Sequence, residues 1–186
     1  MKRIFDILVS LLVFTLLLPF TIIISIAIKL TSPGPVLYWS DRVGKNNTVF
    51  KMPKFRTMTV GTPYLATRHL QGSTQYLTPI GSFLRKTSLD EIPQLWCILK
   101  GDMSIVGPRP SLTNETDLIA LRTQEKIYLA TPGLTGWAQI NGRDFITIEQ
   151  KVALEKEYIK NQSFFFDFYI FLRTIPNVLF KKDISH

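Results

Sequence analysis

Cysteine, histidine and acid are in short supply in this 186-residue chain. The one cysteine, Cys97, excludes an internal disulfide and a thiolate metal cluster. It sits in the apolar run Leu95-Trp96-Cys97-Ile98-Leu99 and reads as a core residue. The two histidines, His69 and His186, are far apart and offer no zinc site. Fourteen acidic residues face 22 basic ones, a formal net charge of +8. Such an imbalance points to an anionic partner: nucleic acid, an anionic membrane face or a phosphorylated substrate. There is no internal repeat and no low-complexity tract. The length fits one soluble domain plus an appendage.

Charge is missing altogether from residues 7–28, ILVSLLVFTLLLPFTIIISIAI. The run is long enough to span a bilayer. It is too long for the core of a signal peptide, and the exit TSPGP lacks a small-residue cleavage site. Lys2 and Arg3 precede it and Lys29 follows, so positive charge does not separate its two flanks. Pro19 near mid-run removes a backbone hydrogen bond and bends a helix. Thr15 and Thr21 are candidates to satisfy the freed groups. The residues leave two geometries open, a helix that spans and one that enters and returns by the same face.

What acid there is includes an adjacent pair, Asp90 and Glu91, within RKTSLDEIPQLWCILKGDMSIVGPRP, residues 85–110. Arg85 and Lys86 lie upstream of it, Lys100 and Arg109 downstream. Two carboxylates among cations suit phosphoryl chemistry: one attacks phosphorus or acts as base, the other holds a divalent metal, and the cations neutralise phosphate oxygens. A structural reading stands beside this one. Ser88-Leu89-Asp90-Glu91 has the form of a helix capping box. A helix opening at Pro93 and closing before Gly101 would also leave both acids at its positive end.

The rest of the chain reads as short elements. Residues 36–39 and 48–52 are strand-like, with a hairpin turn at Gly44-Lys45-Asn46-Asn47. Lys54-Phe55-Arg56-Thr57-Met58 follows, with Lys54 or Arg56 expected to face a phosphate. Residues 60–78 read as a mobile surface loop and 78–85 as a short helix. Residues 111–130 contain a modest helix around Leu118, Ile119 and Leu121. Residues 131–143, TPGLTGWAQINGR, read as a tightly turned loop that lets backbone approach a ligand. There Gln139 and Asn141 can read a base or sugar edge, and Arg143 can grip phosphate. Trp137 is a stacking candidate or a core residue. Residues 148–160 form a charged amphipathic helix. In the last helix Phe164, Phe168, Phe171, Leu172, Ile175 and Leu179 make an apolar face, for the core or for a membrane surface, with Lys181 and Lys182 following.

The motifs KFRTM, SLDE-x-PQL, LKGDMS-x-VGPRP and PG-x-TG-x-x-Q-x-x-GR occur in this order and resemble those of the bacterial sugar transferases, the monotopic phosphoglycosyl transferases. The resemblance covers almost the whole chain and matches the family's minimal catalytic form. It implies a helix-rich α+β fold: a re-entrant membrane helix over residues 1–32, broken at Pro19, and a small cytoplasmic catalytic domain over 33–186 with a short β-hairpin and interfacial amphipathic helices. At the break the family often has Ser-Pro, where this chain has Leu18-Pro19. The implied reaction moves a sugar-1-phosphate from a UDP-sugar to polyprenyl phosphate and releases UMP, at the cytoplasmic face of a bacterial inner membrane, as the first membrane step of a glycan pathway. Asp90 would be the nucleophile, forming a covalent phosphosugar, and Glu91 would hold Mg²⁺. Arg85, Arg109 and Arg143, with Lys54 and Arg56, would bind phosphate, and Gln139 would line the nucleotide-sugar site. Asp167 matches an acid common in the family. A homodimer, the sugar and the pathway stay open. Two other classes compete: a basic membrane-anchored scaffold, which would survive loss of Asp90, and a nucleic-acid binder, which the membrane run and the motif-bound arginines disfavour.

Overall fold

The uncharged run folds as the middle of α1 (Lys2–Thr31), a 30-residue helix in the computed structural model. The structure describes residues 1–63, 73–142 and 146–179. Helical backbone continues through Pro19. Two residues on, the Thr21 hydroxyl donates to the Leu17 carbonyl at 2.9 Å, a back-bond that favours bending. The middle of α1 is bare: Leu8, Leu12, Leu16, Phe20, Ile23 and Ile26 are each more than half exposed. Among the described residues α1 is the one helix long and apolar enough to cross a membrane.

Both ends of α1 are fastened to the same body. At the N-terminal end Arg3 donates to the carbonyls of Ile98 and Leu99. Asp6, 3% exposed, accepts from the Ile105 amide and the Ser104 hydroxyl, both at 3.0 Å. At the other end Ile24 and Ile28 enter the main core, Ile28 with no exposure at all. Burial of that side chain contributes about 1.5–3 kcal/mol. Arg56 then clasps the exit, donating to the Ser32 carbonyl and hydroxyl and to the Pro33 carbonyl.

The chain next forms β1 (Leu37–Val43) and β2 (Val49–Phe55), an antiparallel hairpin in register from Leu37 opposite Phe55 to Val43 opposite Val49. Asn46 and Asn47 supply the positive φ of its turn, a conformation asparagine tolerates. Pro53 interrupts β2 without harm because β2 is an edge strand of the order β2-β1-β4. Of the expected surface loop, residues 64–72 lie outside the described residues.

Next come α2 (Gly81–Lys86), a 3₁₀ turn (Leu89–Gln94), α3 (Leu95–Lys100), β3 (Ser104–Val106) and β4 (Ser111–Leu112). Then follow α4 (Thr116–Gln124), β5 (Gly133–Thr135), α5 (Trp137–Ile140), α6 (Ile148–Asn161) and α7 (Phe164–Leu179). The fold is helix-rich α+β with two small sheets. Residues 131–142 are more ordered than a loop: β5 pairs parallel with β3, and α5 follows. Two of the glycines that suggested a loop, Gly133 and Gly136, are there for close approach to the Gly107 backbone. A Cβ on Gly133 would lie 2.1 Å from the Gly107 nitrogen.

The main core gathers Met52, Phe55, Leu84, Ile92, Ile98, Ile105, Tyr158 and Ile170 around α1's inner residues; Leu118, Ile127 and Val152 form a smaller one. The aromatic face of α7 is divided between the core and the exposed surface. Phe164 and Phe171 pack edge-on against Phe5 of α1, at 5.8 and 5.7 Å between centroids. Phe165, Phe168, Leu172 and Ile175 are exposed beside them.

Candidate active site

The acid pair is displayed by a strained corner. α2 ends at Lys86 with Thr87 as its C-cap, and Ser88 then takes the left-handed conformation, φ 56°, unusual for a residue with a side chain. Its carbonyl accepts from the Glu91 amide at 3.1 Å, opening the 3₁₀ turn with Asp90 and Glu91 in its first turn. The capping-box reading of SLDE does not hold, and of the second reading only the close before Gly101 does. The Ser88 side chain caps nothing, because the left-handed backbone turns it out of the capping geometry. Pro93 lies inside the 3₁₀ turn instead of opening a helix, and Gly101, φ 104°, ends α3.

Strand β2 brings Lys54 to 2.7 Å from Glu91 and 3.6 Å from Asp90. Arg109, three residues beyond β3, grips Glu91 with both terminal nitrogens. Arg85 on α2 anchors its Nε on the Thr57 hydroxyl at 2.9 Å, with its charge felt by Asp90. Asp90 is 6% exposed. Burial pushes its carboxyl above the ordinary value; Lys54, Arg85 and Arg109 oppose this and Glu91 reinforces it. Burial would raise Glu91 too, but Arg109 and Lys54 outweigh it by charge and hydrogen bonding and hold Glu91 well below the usual range. Burial lowers Arg85, against the pull of Asp90. Two neighbouring carboxylates are thus driven in opposite directions: burial governs Asp90, and the cations govern Glu91.

Lys54, Arg85, Asp90, Glu91 and Arg109 therefore meet. Arg56 does not join them; it is 4% exposed and committed to the exit of α1. The β2 strand ends at Phe55, so the alternation that would put Arg56 beside Lys54 stops there. Gln139 on α5 has a buried amide with neither nitrogen nor oxygen hydrogen-bonded to protein. Arg143 lies outside the described residues. Trp137 takes the core role, packed on Phe166 at 5.1 Å. Asp167 is buried, in an ion pair with Lys2 at 2.6 Å. Lys2 and Asp6 hold the N-terminal end of α1 to this body; the one hint in the sequence was Asp6, an acid beside an otherwise apolar helix.

A divalent ion would find Glu91 and Asp90 here, and no cluster of three or more His, Cys, Asp or Glu among the described residues. That donor set fits Mg²⁺, which takes one or two carboxylates and completes its shell with water and substrate phosphate. Glu91's oxygens are held by Lys54 and Arg109, so metal would enter by exchange with one of them.

Known proteins resemble this chain over most of its length. The family described as bacterial sugar transferase matches residues 1–181. A UDP-glucose:undecaprenyl-phosphate glucose-1-phosphate transferase of Caulobacter vibrioides is 38% identical over 185 residues, covering 96% of this chain and 69% of that protein. Exopolysaccharide production protein ExoY of Sinorhizobium fredii is 36% identical, covering 97% and 86%. An Escherichia coli protein with the same name as the Caulobacter one is 38% identical, and the match covers 94% of this chain but 39% of that longer relative. The chain belongs to the bacterial sugar transferase family.

Proposed function

We propose that this enzyme transfers a sugar-1-phosphate from a UDP-sugar to undecaprenyl or a similar polyprenyl phosphate, beginning assembly of a bacterial glycan. The observation that carries the reading is the buried Asp90–Glu91 pair ringed by Lys54, Arg85 and Arg109, in a chain whose relatives are named for this transfer. Asp90 attacks the β-phosphorus of the donor. The bond from that phosphorus to the α–β bridging oxygen breaks, and UMP departs with the electron pair. An oxygen of the lipid phosphate then attacks the same phosphorus, and the Asp90 carboxylate leaves regenerated. Splitting the transfer avoids a meeting of three anionic groups in one step. Arg85, Lys54 and Arg109 supply fixed positive charge where the phosphate oxygens gather, and burial strengthens each of these contacts. Gln139, with its unpaired buried amide, and Arg143 contact the nucleotide-sugar. Mg²⁺ held by Glu91, with Asp90 beside it, would neutralise diphosphate charge.

Residues 1–32 enter the bilayer and 33–186 form the catalytic domain at its cytoplasmic face. The support is that both ends of α1 are bonded to one body while its apolar middle is bare. The exposed Phe165, Phe168, Leu172 and Ile175 extend that apolar surface at headgroup level. The reading is tested by incubating membranes that contain the protein with a panel of UDP-sugars and polyprenyl phosphate, and following UMP. One sugar should give release; Asp90→Asn should abolish it without unfolding, and excess chelator should stop it until Mg²⁺ is restored. An active Asp90→Asn protein would overturn the mechanism.

A further inference from the structure

Arg109 is delivered by the segment Gly107-Pro108-Arg109-Pro110, and this segment is gripped by its carbonyls from distant parts of the chain. The Val106 carbonyl, just ahead of it, accepts from Lys2 at 2.8 Å. The Pro108 carbonyl accepts from the Gly133 amide at 2.9 Å, and that of Pro110 from Arg42 at 3.3 Å. The carbonyl of Arg109 itself accepts from the Arg122 Nη2 of α4 at 2.8 Å. Arg122 is in turn locked by Glu155 of α6: its Nε donates to Oε2 at 2.8 Å, and Nη2, shared with the Arg109 carbonyl, donates to Oε1. Arg122 is 8% exposed and Glu155 1%.

A buried ion pair is a poor way to stabilise a fold, since apolar residues of similar volume often do as well or better. What such a pair does well is fix one geometry. The guanidinium is planar, so two nitrogens of one edge held by Glu155 fix the direction of its bond to Arg109. We infer that Arg122, oriented by Glu155, is a positioning residue that sets the reach of Arg109 toward Glu91 and so toward the phosphates of the donor. The inference rests on the proposed role of Arg109 in the transfer. Arg122 touches no reacting atom and acts through the backbone of Arg109.

The test is a double-mutant cycle in the full-length protein, with the UDP-sugar that turns over in the panel above. Arg122→Lys keeps the charge opposite Glu155 but loses the second arm that reaches the Arg109 carbonyl. It should lower kcat roughly tenfold to a hundredfold, the scale of a small misplacement of a charged group. It should lower Tm by a few degrees, whatever side chain residue 109 carries, because the Arg109 carbonyl loses a donor. In an Arg109→Ala background the same substitution should cost nothing further in kcat, because the group it positions is gone. An equal loss of kcat in both backgrounds, or no loss in the parent, overturns the inference while leaving the role of Arg109 intact. An Arg109→Ala protein of full activity overturns that role and the inference with it. If Arg122→Lys does not fold, Glu155→Asp, which keeps the charge and withdraws it by one carbon, runs the same cycle with the same expected and contrary outcomes.

Discussion

Lys151 lies among Arg122, Glu155, Glu115 and Arg109, and burial, helped by the two arginines and opposed by the two acids, pushes its ammonium down to about 8. The folded state therefore releases the Lys151 proton before the unfolded state does, whose value stays near 10.5. Below about 8 both states hold the proton and the charged amine carries its full penalty. Between about 8 and 10.5 the unfolded state binds more protons, so this group's contribution to stability rises with pH. Lys151→Met should raise Tm by a few degrees at pH 7, with the gain over the parent shrinking toward pH 10. A gain that does not change with pH would assign the effect to packing. The same scale shows what could be read in advance. Asp90, Glu91 and Arg109 were legible because their residue types, and their place in one motif, already suggest phosphoryl chemistry. Arg56 was not, since its guanidinium is spent on Ser32 and Pro33, and nothing local to KFRTM reveals a partner 24 residues upstream.

Among the elements, α4 stops badly. Its C-cap is Glu125, and the next residue, Lys126, is exposed with φ 59°, the left-handed position that glycine usually fills after a helix. An L side chain there costs about 1–2 kcal/mol, and glycine returns part of this through the entropy of the unfolded chain. Lys126→Gly should therefore stabilise by about 0.5–1 kcal/mol and raise Tm by roughly 2 °C. A lowered Tm would show that the Lys126 side chain contributes more than the strain it carries. Elements with strong local signals were readable from sequence: the β1–β2 hairpin with its asparagine turn, and α6, whose Thr147–Gln150 capping box is fully made. The parallel pair β3–β5 was not. Its strands are three residues each and 26 residues apart between Val106 and Gly133, and their pairing depends on glycines whose role is contact across the molecule.

For the whole molecule the decisive feature is where the two ends of α1 are held. A straight helix of its length measures about 45 Å, against about 30 Å of hydrocarbon, so length alone permits a span. The anchors argue against one. Were the first residues to cross, Arg3 would leave the carbonyls of α3, Asp6 the amide of β3, and Lys2 would leave Asp167, stranding that carboxylate, which is 3% exposed. Losing such charge-assisted bonds costs about 1.5–3 kcal/mol each, and an abandoned buried charge about 3–5 kcal/mol. A spanning α1 would have to regain that by other means, and its apolar middle meets lipid in either geometry. We therefore expect both ends on the cytoplasmic side. Cysteines placed ahead of Met1 and at exposed Thr31 test this in intact cells with a membrane-impermeant thiol reagent. Cys97 stays silent, since it is 1% exposed and burial, with the charge of Asp102, pushes its thiol up to about 11. Neither introduced cysteine should react until the membrane is opened, and then both should. Labelling of the N-terminal cysteine from outside would establish a spanning helix. It would also mean that the bonds of Lys2, Arg3 and Asp6 do not form in the membrane.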